Sequence, residues 1–112
     1  MMAEPVFLHV ELRIVPAEFR TFLDTMQEVT PLIIASGWKL VGAWQVRVGR
    51  AFTLRVIWEL PDADTYFQER LPFTRHPRFA EYRTILSRAV EEEVVSMMTR
   101  VPYGEDGSGI SA

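Results

Sequence analysis

Apolar and polar residues alternate along parts of this chain with a period of two and along others with a helical period. Val6, Leu8, Val10, Leu12 and Ile14 fall on one side of a strand predicted over 6–14, with Phe7, His9, Glu11 and Arg13 on the other. From Pro16 to Ala35 the period changes: Phe19, Phe22, Leu23, Met26, Val29 and Ile33 recur at spacings of three and four, the stripe of an amphipathic helix. Pro16 suits the first turn, where a missing N–H costs nothing, and Gly37 suits the stop. Pro31 is predicted to kink or split the helix.

Gly37 to Glu59 returns to alternation. Trp38, Leu40, Trp44, Val46 and Val48 stand at even positions before Gly49, as do Phe52, Leu54, Val56, Trp58 and Leu60 after it. Lys39, Gln45, Arg47, Thr53, Arg55 and Glu59 occupy odd ones. Opposed residues of an antiparallel pair share a face. A three-residue turn, Gly49-Arg50-Ala51, therefore sets Val46 against Leu54, Trp44 against Val56, and Gly42 against Trp58, where it leaves room for the indole. The even face, with Trp38, Trp44 and Trp58, is expected to meet the helices.

Asp62 is a predicted N-cap for a second helical region. Leu71-Pro72 interrupts that region and His76-Pro77 restarts it, with Pro77 in the first helical position. Phe79, Tyr82, Leu86 and Ala89 or Val90 then mark one face, and a last strand is expected within 92–101. Pro102 ends it, leaving a domain over 1–101 and a polar, glycine-rich tail over 102–112 that is expected to be disordered.

Strand, helix, strand, strand, helix, strand is the order of an α+β, ferredoxin-like βαββαβ unit, with a four-stranded antiparallel sheet in spatial order 4-1-3-2. Helices then cover one face only. The other mixes Phe7, Val41, Ala43, Ile57 and Val95 or Met97 with the charges, a semi-apolar surface best explained by a second copy packing face to face as a dimeric α/β barrel.

Composition narrows the function. At 112 residues, 48% hydrophobic and 24% charged, the chain reads as one ordinary globular domain. A net charge of -3 argues against non-specific nucleic-acid binding. The absence of cysteine removes disulfides, thiol nucleophiles and thiolate metal sites, and fits a reducing, cytoplasmic setting. Residues 1–13 lack the basic and apolar regions of a signal peptide, and no run is long enough for a membrane span. No cofactor or metal is expected: there is no phosphate loop, and His9 and His76 have no zinc-ligand spacing.

Gly37 to Trp44 (GWKLVGAW), followed by Val48-Gly49-Arg50, an apolar strand and Ile57-Trp58-Glu59, resembles the NIPSNAP family of the dimeric α/β-barrel superfamily. Glu11-Leu12-Arg13 is similar to that family's E-x-R strand, and His76-Pro77-Arg78-Phe79 to its Pro-plus-aromatic segment. Ile14-Val15 departs from it, since an aromatic residue is more usual there. The resemblance covers most of 6–101 and implies a ferredoxin-like homodimer. It implies little chemistry, although related dimeric barrels include cofactor-independent monooxygenases, isomerases and cyclases acting on aromatic or polyketide-like molecules.

Two constellations carry the candidate chemistry. His9, Glu11, Arg13, Arg55 and Glu59 share one face of the central strands, and His76 opens the later helix. A histidine beside a carboxylate can serve as general acid or base. For Glu11, Arg13 and Arg55 an ion-pair network at the dimer interface is the simpler expectation. Trp38, Trp44, Trp58, Tyr66 and Tyr82 are the candidate walls of an apolar pocket for a flat organic ligand, against which stands plain core packing. Two readings follow: a cofactor-independent enzyme of secondary or aromatic metabolism acting on a hydrophobic, ring-containing molecule, or a non-catalytic binding or assembly module.

Overall fold

The computed structural model describes residues 4–68 and 72–104. Strand β1 runs Val6–Ile14, helix α1 Phe19–Ala35, strands β2 and β3 Lys39–Gln45 and Thr53–Leu60, helix α2 Ala63–Gln68, helix α3 Phe79–Ala89 and strand β4 Val90–Met98. Short 3-10 turns stand at Pro16–Glu18, Pro72–Arg75 and Pro102–Gly104. The four strands form one antiparallel sheet in the order β2-β3-β1-β4, the expected arrangement. Leu71 and residues 105–112 of the expected tail lie outside the described residues.

β1 is the anchor of the core. Leu8 and Ile14 are each 1% exposed, and Leu60 on β3 is 0% exposed. Leu8, Trp58 and Leu60 pack under Val29 and Ile33 of α1 and Tyr82 of α3, while Leu12 and Ile14 pack with Phe22 and Ala89. This is the helix-covered face, and the period of two on β1 meets the period of 3.6 on α1 there. α1 runs through Pro31 without the split that was one of the two expected outcomes. Pro31 is exposed, so the carbonyl that loses its N–H partner can turn to water. Gly37, at φ 104°, ends the helix in the left-handed region that glycine tolerates, with its N–H donating to the Ile34 carbonyl at 3.0 Å. α3 begins at Phe79 rather than Pro77, after a turn closed by the Phe79 N–H to the His76 carbonyl, 2.9 Å.

The hairpin departs from the parity argument. Leu40 opposes Trp58, but the next pair is Gly42 with Ile57, so Val41 is an extra residue bulged out of β2. One extra residue inverts every face beyond it. Ala43 therefore opposes Val56 on the helix side, and Trp44 opposes Arg55 on the other. The Val46 N–H donates to the Thr53 carbonyl at 2.9 Å, and the connection runs from Val46 to Phe52 rather than through a three-residue turn. Gly42 makes room for a tryptophan, but for Trp44 and not Trp58: a Cβ there would lie 2.5 Å from the Trp44 ring.

A second bulge shapes the other edge. Arg13 opposes Glu92 and Ile14 opposes Val90, leaving Glu91 unpaired in the ladder. β4 consequently turns Val94, Ser96 and Met98 to the face of Glu11, His9 and Phe7, and Val95 and Met97 to the helix side, the reverse of the expected placement. No helix among the described residues is long and apolar enough to cross a membrane.

Candidate functional site

A cavity of about 320 Å³ lies between the sheet and the helices. Its floor is Leu8, Val10 and Leu12 of β1 with Val56 and Trp58 of β3. Phe22, Met26, Val29 and Ile33 of α1 form the roof, and Trp38, Tyr66 and Leu86 close the sides. β4 is the reason the space exists. Val95 and Met97 face the helix side yet remain 40% and 37% exposed, because α3 packs on α1 and passes directly into β4 without covering that edge. The volume falls at the lower end of the range for small-molecule sites.

The walls are rigid and nearly all apolar. Trp38 and Trp58 meet edge to face with ring centroids 6.0 Å apart, a geometry that fixes both indoles. Tyr66 is carried by α2, which Asp62 caps: its carboxylate accepts the Thr65 N–H and hydroxyl, both at 2.8 Å. These bonds hold the Asp62 carboxyl below its ordinary pKa, the hydroxyl contributing most. Trp58 is 5% exposed, and its indole N–H has no hydrogen-bond partner among the described residues. Thr53 Oγ1, by contrast, is a fully occluded polar atom without a partner. Among the described residues, Glu93 is the charged residue of the lining.

Of the expected walls, Trp38, Trp58 and Tyr66 line this cavity. Tyr82 does not; it is 4% exposed, packed in the core beneath the Arg78 guanidinium at 5.0 Å. Trp44 is on the opposite face by its pairing and 52% exposed, although it borders a smaller groove of about 260 Å³ beside β2.

His9, Glu11, Arg13, Arg55 and Glu59 do share one face, as their alternation predicts, but the sheet separates that face from the cavity. Arg55 pairs with Glu11 at 3.1 Å and Arg13 with Glu91 at 3.5 Å. The Arg55 and Glu11 side chains keep 53% and 30% of their exposure, so the pair contributes about 0–1 kcal/mol. His9 lies between Ile57 and Ser96, and Glu59 between Phe7 and Lys39. His76 is remote from all five, beside Tyr82, its Nδ1 accepting the Arg78 N–H at 3.1 Å.

Two residues outside the candidates named from the sequence also stand out. Arg78 ties the helices together: it donates to Glu81 at 3.0 and 2.9 Å and to Glu28 of α1 at 2.8 Å, and these bonds, Glu81 first, raise its pKa. Glu28 is 50 residues away, and no local pattern pairs them. Glu93 belongs to a run of three glutamates, and the bulge at Glu91 decides its face. Among the described residues no cluster of three or more His, Asp or Glu could hold a metal ion.

The model of the NIPSNAP family matches residues 10–104. Among curated proteins none matches the chain. Solved structures do. A NIPSNAP family protein of Agrobacterium tumefaciens is 14% identical, covers 98% of this chain and 94% of its own, and superposes with a TM-score of 0.79. A NIPSNAP domain protein of Burkholderia xenovorans is 17% identical over 90% of this chain and 99% of its own, TM-score 0.75. A Bacteroides thetaiotaomicron protein described as a possible oxidoreductase is 12% identical over 87% and 98%, TM-score 0.62. At these identities the likeness is one of fold.

Proposed function

Because the chain belongs to the NIPSNAP family, we propose that it works as a homodimer whose subunits each bind a hydrophobic, ring-containing or polyketide-like small molecule under the sheet. The observation that carries this is the cavity of about 320 Å³ with two edge-to-face indoles in a mainly apolar wall. A core of this size without a ligand function is expected to close such a space, since interiors pack to crystal density. The dimer reading is supported by the open sheet face, where Trp44, Val94 and Met98 are 52%, 48% and 37% exposed beside the half-buried His9 and Ile57.

Binding is favoured over catalysis by the site's own geometry. A cofactor-independent monooxygenase, isomerase or cyclase needs polar groups at the ligand, and His9, Glu11, Arg13, Arg55 and Glu59 are across the sheet from it. In the dimer Glu11, Arg13 and Arg55 serve as ion-paired groups of the interface. The test has two arms. Sedimentation at micromolar concentration should give twice 12.9 kDa; a mass of 12.9 kDa overturns the dimer. The neutral dye N-phenyl-1-naphthylamine should bind saturably at one per chain, and a linear, unsaturable response removes the cavity as a ligand site.

A further inference from the structure

Three consecutive carboxylates, Glu91, Glu92 and Glu93, follow Val90 at the start of β4, and the bulge at Glu91 sorts them. Glu91 meets Arg13 Nε at 3.5 Å, and Glu92 meets the Arg50 guanidinium at 3.8 Å. Glu93 opposes Leu12, which turns it to the helix side, and there it lines the cavity with no ion-pair partner among the described residues. It is exposed, whereas Trp58 is buried, so the carboxylate stands at the open end of the cavity and the indole deeper in. Among the described residues no basic side chain lines the cavity with it.

We propose that the ligand is a flat, ring-containing amine, its rings against Trp58 and Trp38 and its ammonium at the Glu93 carboxylate. This deepens, and rests on, the reading of the cavity as a ligand site. A carboxylate at the entrance of an apolar site disfavours fatty acids, aryl carboxylates and other anions, and forms a charge-assisted hydrogen bond with an ammonium.

Isothermal titration calorimetry at low salt with three ligands of one shape separates the possibilities: 1-naphthylmethylamine, 1-naphthylmethanol and 1-naphthoate. The amine is expected to bind the wild-type protein about threefold tighter than the alcohol, the worth of an exposed charge pair, with the carboxylate weakest. Glu93→Gln should keep the alcohol's affinity and bring the amine level with it. Equal binding of amine and alcohol by the wild type, or an amine preference that survives Glu93→Gln, overturns the charge assignment alone. If the alcohol and the amine both fail to bind, the cavity reading falls and the amine proposal with it. Retained alcohol binding by Glu93→Gln also shows that the variant is folded.

Discussion

Val56→Ile asks whether the space under the sheet is real. Val56 is at the middle of β3, paired with Val10 on one side and Ala43 on the other, half-buried and part of the cavity floor. Isoleucine keeps the β-branch, so strand propensity is nearly unchanged. The substitution therefore adds one methylene pointing into the cavity and little else. With about 320 Å³ available, that group enters without strain and removes apolar surface from water, stabilising the fold by about 0.8 kcal/mol. A urea slope of about 1.5 kcal/mol/M turns this into a midpoint about 0.5 M higher, and the thermal midpoint should rise by about 3 °C. Both are measured by circular dichroism at matched protein concentration, because a dimer's stability depends on it. A filled core gives the opposite sign, since overpacking costs about 1–3 kcal/mol. A lower urea midpoint with an unchanged slope would refute the cavity. The same methylene should weaken naphthylmethanol binding, so stability and affinity move in opposite directions.

Thr53 is 4% exposed and its hydroxyl has no partner, so Thr53→Val should stabilise the fold by about 1 kcal/mol in urea titration; a loss of that size would mean the hydroxyl has found a bond. The Asp62 pKa is depressed in the folded state, so its contribution is present above the unfolded carboxylate value of about 3.9 and is lost as pH falls through the lower folded value. Asp62→Ala should accordingly loosen α2 at neutral pH and flatten the acid limb of the melting profile, and an unaltered limb would count against the cap. Trp44→Asp should shift the sedimenting species to the monomer mass while leaving naphthylmethanol affinity unchanged, because Trp44 is not among the residues that line the cavity. A dimer that persists in this variant would move the interface elsewhere.

The residues that were easy to read are those whose environment is set by near neighbours. β1 was legible to the residue because its alternation is uninterrupted and both flanking strands pair with it. The catalytic candidates on that face were grouped correctly for the same reason. Trp44 was misplaced because its face depends on whether Val41 is in or out of the ladder, and an apolar residue inside an apolar strand carries no mark of a bulge. Tyr82 shared its helical stripe with core residues, and periodicity alone gave no means of separating a cavity wall from a packed ring.

Local periodicity in the chain determined the order of elements, the antiparallel sheet, the strand order and the single helix-covered face, since each follows from which side chains must leave water. Tertiary structure alone decided the two bulges, the Arg78 to Glu28 tie and the uncovered edge of β4. The bulges belong to pairs of strands and the tie to two helices. The cavity is the volume left over when α3 packs on α1 instead of β4, a difference between long-range contacts that no stretch of sequence contains.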